Sequence, residues 1–201
     1  MLDTSQDYDQ CAVELGVEPE RCWQLLTPLT RYSNRGRAGF AIDNGAFSGF
    51  DASAFLKLLE RETPNRDRCR FVVVPDVPMS ARRTLEVFDG WRYKLQAWPK
   101  ALACQNGQED LPIPWDSIAA VFIAGDDRFK QSQSARQIVQ AAKALGKWAH
   151  MGRVNTPSRV RLAIEWGVDS VDGTGLSRYS HMRKAVRDMG AAPELDLEDD
   201  I

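Results

Sequence analysis

The sequence predicts an α/β fold built on a parallel sheet, and three observations carry that prediction. Short apolar runs alternate with longer segments that bear helix-start and helix-stop residues. The runs are continuously apolar and rich in β-branched or aromatic residues, as in strands buried on both faces. Almost every run also ends in a polar or glycine-bearing cluster.

In chain order the runs are GFAID (39–43), RFVVVPD (70–76), KALACQ (100–105), AAVFIAG (119–125), KWAHMG (147–152) and VDSVDG (168–173). The first helix follows Asp51, a natural N-cap, with apolar residues at 55, 56, 58 and 59. Ser80 precedes a second, running to about Tyr93 with Leu85, Val87 and Phe88. Ser132 or Ser134 opens a third, stopped by Gly146. Thr156-Pro157 pairs a cap with proline at the first helical position, and that helix runs to Trp166 with Gly167 beyond it. Residues 179–189 read as a last helix.

Two architectures fit this alternation, an open doubly wound sheet and a closed (β/α)8 barrel. Eight units over 201 residues leave about 25 each, the lower end for such barrels. A compact (β/α)8 TIM-like barrel would therefore be almost free of insertions, or carry a missing or degenerate unit. No repeat, low-complexity tract or Gly/Ser linker divides the chain, so residues 1–201 are read as one domain. Residues 1–15 and 191–201 are expected to be peripheral or frayed.

Composition narrows the class. Hydrophobic residues at 43% and charged ones at 27% exclude intrinsic disorder. A net charge of −2 excludes binding of polyanions through bulk charge, while leaving a local basic patch open. Cys11, Cys22, Cys69 and Cys104 form no Cys-x-x-Cys pair, so they read as reduced thiols and no metal is expected. No run approaches the eighteen or so apolar residues that span a bilayer, and the start MLDTSQDYDQ is unlike a signal peptide. The expectation is a cytoplasmic protein, in the host cytoplasm if phage-encoded, with no membrane partner.

In both α/β architectures the active site lies at the carboxyl ends of the strands. Asp43, Asp76 and Asp172 would then converge on one mouth. Such carboxylates suit glycosyl transfer, one attacking an anomeric carbon and another moving protons. Taken singly, Asp-Asn-Gly is the composition of a turn and Asp-Gly-Thr-Gly that of a loop. Their shared place at successive strand ends is what makes them a site.

The order of these motifs resembles the tRNA-guanine transglycosylase superfamily, and most of all its short phage and bacterial relatives that insert 7-deazaguanine bases into DNA. HMGRVNTPSRVRLAIEWGVDSVDGTG (150–175) is similar to the family's Met-Gly-Val-Gly-Thr-Pro turn, helix and nucleophile segment. FAIDNGAFS (40–48) resembles the Asp-Ser-Gly-Gly-Phe/Tyr motif, and VPD (74–76) stands where a base-recognising aspartate is expected. CQNG (104–107) resembles the Val-Gln-Gly segment and FIAGDD (122–127) the Ile-Gly-Gly segment.

The resemblance implies a pentosyltransferase, like the queuine tRNA-ribosyltransferases, that exchanges guanine in DNA, or in tRNA, for a free 7-deazaguanine base without a cofactor. Asp172 would be the nucleophile and Asp43 the general acid/base. Asn44, Asp76 and Gln105 would lie at the base edge, and the backbone at Ala124 and Gly125 would read its six-position oxygen. Phe47 and Met151, the latter beside Gly152, would sandwich the ring. Asp169 would be structural. Arg35, Arg37, Arg128, Lys130, Arg153 and Arg178 would track phosphates, unless they are simply a solvated face.

The departures concern accessories. The tRNA enzymes' Cys-x-Cys-x-x-Cys…His zinc segment has no counterpart, Asn44 replaces a serine, and Ala124 replaces a glycine. The shortness favours DNA over tRNA as the expected polymer. A glycosylase releasing a purine to water, or a non-catalytic base-binding subunit of a DNA-modification complex, are the alternatives. A homodimer or a partner protein stays open.

Overall fold

Eight parallel strands in sequential order form the sheet of the computed structural model, which describes residues 2–3, 8–31 and 39–190. They are β1 (Leu2–Asp3), β2 (Trp23–Leu26), β3 (Phe40–Ile42), β4 (Cys69–Val73), β5 (Lys100–Cys104), β6 (Ala120–Ile123), β7 (Trp148–Met151) and β8 (Ser170–Val171). The helices are α1 (Tyr8–Leu15), α2 (Ala52–Glu62), α3 (Ala81–Trp91), α4 (Asp127–Lys130), α5 (Gln133–Ala144), α6 (Pro157–Glu165), α7 (Thr174–Arg178) and α8 (Ser180–Gly190). Each strand pairs in parallel with the next, from β1 to β8. The result is a TIM-like barrel. Among the described residues no ladder joins β8 back to β1, so the barrel is incompletely closed.

The small size comes from what the connections omit. Between β5 and β6 lie only the 3-10 turns Gln108–Asp110 and Trp115–Ser117, and the described part of the β2–β3 connection holds no helix. These are the degenerate units. Elsewhere the helices start where the capping residues stand. Asp51 accepts from the Ala54 N–H at 3.0 Å, Ser132 from Ala135 at 3.1 Å and Thr156 from Arg159 at 3.3 Å. Ser132, and not Ser134, is thus the cap of α5. Gly146 and Gly167 take positive φ of 65° and 71° past the ends of α5 and α6, where the left-handed region favours glycine.

Alternation along the strands sorts side chains into two layers. Leu25, Ala41, Phe71, Val73, Ala101, Ala103 and Ala120 fill the lumen with Trp23, Phe122 and Trp148. Leu26, Phe40, Ile42, Val72, Leu102, Val121, Ile123, Ala149 and Met151 point outward, against helix residues such as Phe55, Phe88, Ile138 and Val160. Burying a large apolar side chain such as Phe40, Phe55 or Leu102 stabilises by ~1.5–3 kcal/mol. The alanines of β3, β5 and β6 make room for the aromatic rings from β4, β6 and β7.

Residues 8–15, expected to be peripheral, form α1, which packs on α8 through Cys11, Ala12 and Leu15 and an ion pair of Glu14 with Arg183 at 2.6 Å. Strand β2 is not foreseen in the sequence pattern because its four residues include Gln24 and lack a preceding helix signal. The short α4 and α7 form where that pattern shows only loops. Residues 191–201 lie outside the described residues. No described helix is long and apolar enough to cross a membrane.

Candidate active site

Two residues beyond the lumen alanine Ala41, at the next inward position, stands Asp43. The same step leads from Ala103 to Gln105, from Phe122 to Ala124, from His150 to Gly152 and from Ser170 to Asp172. Asp43, Gln105 and Asp172 therefore belong to the top layer of the barrel's own stack, while Asn44 and Asp76 join them from the loops just beyond β3 and β4. Ala103, Phe122, His150 and Ser170 are in register with one another directly beneath it.

That layer encloses a pocket of about 90 Å³ lined by Asp43, Asn44, Phe47, Asp76, Gln105, Phe122, Ala124, Gly125, Lys130, Gly152, Arg153 and Asp172, among others. It opens to solvent along one rim. Phe47, 70% exposed, and the Arg153 guanidinium, 4.0 Å above its ring, form that rim.

The three carboxylates are held in different ways. Burial, the neighbouring Asp172 and Asp76 together push Asp43 up to about 7, against hydrogen bonds from the Gly45 and Asn44 N–H groups. The turn behind it depends on Gly45 at φ 76°. Asp76 is also raised by burial, although Asn44 Nδ2 donates to its Oδ1 at 2.7 Å and Gln105 Nε2 to its Oδ2 at 2.6 Å. Asp172 accepts from the Arg153 N–H at 2.8 Å on Oδ1 and meets His150 Nε2 at 2.9 Å on Oδ2. One carboxyl is protonatable near neutrality and another is fixed by donors, the arrangement that separates acid from nucleophile.

Glycines allow the close approaches. A Cβ on Gly152 would lie 2.5 Å from the Phe122 ring, and one on Gly173 2.3 Å from the Val154 carbonyl oxygen. The latter contact is where the loop after β7 crosses the loop after β8, tied by the Val154 N–H to the Asp172 carbonyl at 2.6 Å.

Several expected positions need correction. Met151 does not reach the pocket: it is 1% exposed and belongs to the outer core, because its parity on β7 is opposite to that of His150 and Gly152. Phe122, which sequence reasoning misses, forms the pocket wall in its place. Lys130 is no phosphate contact on an open face; it is 3% exposed, its Nζ donates to the Gly152 carbonyl at 3.1 Å, and burial lowers its pKa. Ala124 donates its N–H to the Cys104 carbonyl at 3.0 Å, so a backbone donor to a base at that edge has to come from Gly125. Asn44 and Gln105 are engaged with Asp76 and line the pocket beside it.

Arg128 and Arg178 are exposed, on α4 and at the end of α7. Arg35 and Arg37 lie outside the described residues. Asp169 does hold structure, bonding Lys143 and accepting from the Ala149 N–H at 2.8 Å. His150, wholly buried, is the other residue that sequence reasoning misses. Its signal is available: 148, 150 and 152 share one face of a strand whose end enters the site. All four cysteines are buried and unbridged, with the thiols of Cys69 and Cys104 pushed up by burial. Among the described residues no three His, Cys, Asp or Glu are placed to hold a metal ion.

Fold and site together define a TIM-like parallel barrel whose strand ends close on an acidic pocket. No family model and no curated protein matches the chain. Among solved structures, a protein assigned as a glycerophosphoryl diester phosphodiesterase from Silicibacter pomeroyi DSS-3 is similar at TM-score 0.48 and 15% identity, over 76% of this chain and 51% of its own. A mandelate oxidase follows at 0.47 and 16%, over 90% and 63%. Phosphoribosyl anthranilate isomerase from Thermus thermophilus stands at 0.47 and 12%, over 94% of both chains. The chain thus spans about half the length of the first and under two-thirds of the second.

Proposed function

We propose that the protein is a transglycosylase that exchanges a guanine base in DNA for a 7-deazaguanine base through an aspartyl-glycosyl intermediate. The observation that carries this reading is the pairing of Asp43, raised to about 7, with Asp172, whose two oxygens are each held by a donor.

A lone pair on Asp172 attacks C1′ of the deoxyribose. The C1′–N9 bond breaks, its electrons leave on the base, and the Asp43 carboxyl gives that base a proton. An incoming base then returns a proton to the Asp43 carboxylate, attacks C1′ and releases Asp172. Two displacements retain the sugar's configuration, and protons and charge balance over the cycle. Neither half-reaction calls for a redox cofactor or a nucleotide triphosphate. Asp76, buttressed by Asn44 and Gln105, faces the base edge, while Phe47 and Phe122 supply aromatic surface for a base lifted from the stack. Arg128, Arg153 and Arg178 are the described cations suited to flanking phosphates.

The test is incubation with guanine-containing DNA and 7-cyano-7-deazaguanine, with incorporation read by mass spectrometry. Incorporation by wild type and a loss of about 10³-fold or more in Asp172→Ala are expected. Equal behaviour of the two would overturn the assignment. Abasic sites accumulating without added base would turn it into a hydrolase, and the same experiment with tRNA decides the polymer.

A further inference from the structure

We infer that His150 is a positioning residue for Asp172, holding the carboxylate through an Nε2–H whose tautomer is set by a hydrogen-bond relay from the floor of the barrel. The relay begins at Trp148, whose indole N–H can only donate and does so to Ser170 Oγ at 2.8 Å. The Ser170 hydroxyl, already accepting from Trp148, has its own hydrogen to give, and His150 Nδ1 lies 2.8 Å away with the ring's other nitrogen facing the Asp172 carboxylate. Nδ1 accepts, so the proton of the neutral ring sits on Nε2, and Nε2–H donates to Asp172 Oδ2 at 2.9 Å.

The surroundings keep the ring neutral and still. His150 has no exposed surface and lies between Phe122, with centroids 4.6 Å apart, and Phe71, at 5.3 Å. Burial lowers its pKa, outweighing the opposite pull of Asp172. At the floor, Trp148 stacks on Trp23 at 5.3 Å, and the Arg70 guanidinium covers both rings at 4.4 and 4.8 Å. The starting donor of the relay therefore has a fixed orientation. Packing alone would be served by an apolar ring at this place, and it would leave Ser170 and Asp172 each one partner short.

The consequence for chemistry is geometric. Asp172 sits at the end of β8, while both of its donors, the Arg153 N–H and the His150 Nε2–H, come from β7 and the residues just after it. Each carboxylate oxygen keeps a free lone pair, and the plane of the group is fixed before substrate arrives. The proton stays on Nε2 throughout, so His150 moves none. This catalytic weight rests on Asp172 being the nucleophile; the tautomer does not.

Two measurements on the full chain test the relay. Long-range ¹H–¹⁵N spectra of histidine-labelled protein should show His150 as the neutral Nε2–H form, unchanged between about pH 6 and 8. An Nδ1–H tautomer or an imidazolium there would overturn it, whatever reaction the protein catalyses. In the exchange assay, Ser170→Ala should lower kcat by ~10²-fold with KM within about threefold, since a loosened nucleophile is misaligned after binding. His150→Gln, which keeps an N–H near Nε2, should retain about tenfold more kcat than His150→Leu. Should His150→Leu fail to fold, Trp148→Phe, which removes only the first N–H, takes its place, with a smaller kcat loss and unchanged KM expected. Equal kcat in wild type, Ser170→Ala and His150→Gln would overturn the relay, whereas equal exchange by wild type and Asp172→Ala overturns the nucleophile and leaves the spectra standing.

Discussion

Two hollows of this barrel differ in a way that separates space from chemistry. One is a groove of about 730 Å³ at the unclosed seam, lined by Leu15, Val17, Trp148, Val160, Leu176 and Val186 among others. Its walls come from β8 and from the helices α1, α6, α7 and α8 packed beside it. The other is the pocket of about 90 Å³ at the strand ends, where three carboxylates, two amides and a buried lysine meet. Only the second brings perturbed acids within range of one another, because five of the strands deliver their next inward residue to one point. Volume marks where packing stops; the site is where periodicity converges.

Asp43→Asn should break this contrast most deeply. Without the acid, exchange should fall by ~10²–10⁴-fold. Stability should move the other way, with the sign fixed by linkage. Between the ordinary carboxylate range and about 7, the folded state binds a proton that the unfolded state has released, so stability falls as pH rises through that window. The amide removes that penalty, so at pH 8 the variant should unfold at higher denaturant than wild type, by up to about 4 kcal/mol. Equal midpoints at pH 8, or an exchange rate that does not decline above pH 7, would show that Asp43 is not held protonated.

Leucine truncations compare the closed and open halves directly. Leu102 is fully buried on β5, and Leu102→Ala should cost ~4 kcal/mol in urea unfolding. Leu176 is nearly as buried but borders the seam groove, which can absorb the loss, so Leu176→Ala should cost only ~2 kcal/mol and leave exchange per folded molecule unchanged. A reversed order would mean that the seam is the tighter half. Gly152→Ala should cost ~1–3 kcal/mol by pushing on the Phe122 ring, and because Phe122 walls the pocket it should also raise KM.

The smallest effect on stability belongs to the rim. Phe47→Ala removes an exposed ring and its contact with Arg153, worth ~0.5–1 kcal/mol. Its larger readout is a KM for the polymer about tenfold higher, from lost base stacking. A KM unchanged by this variant would place the base elsewhere on the mouth.

Much of the barrel is legible because its strands are buried on both faces and its caps are chemically distinct. Val72, Val121 and Ile123 announce strands by composition alone, and Asp51, Ser132 and Thr156 mark helix starts with side chains that do cap them. Asp43, Asp76 and Asp172 can be grouped because each closes an apolar run. What composition cannot carry is parity. Met151 and Gly152 are adjacent, so one of them had to face the helices, and placing both in the pocket contradicts the two-residue period of a strand. Lys130 fails for a related reason: only the short α4, capped by Asp126, turns its ammonium under Gly152.

The sequence by itself determined an α/β fold on parallel strands and set three aspartates at the strand ends, since these follow from local pattern and chain order; that the sheet curls into a barrel and does not stay open and doubly wound belongs to the tertiary structure. Only the tertiary structure decided that His150 meets Asp172 across 22 residues, that Ser170 and Trp148 orient it, and that Phe122 replaces Met151 as the wall. Those pairings depend on the register between neighbouring strands, fixed by which residues pack best in the lumen, and a one-residue slip would turn every one of them to the opposite face.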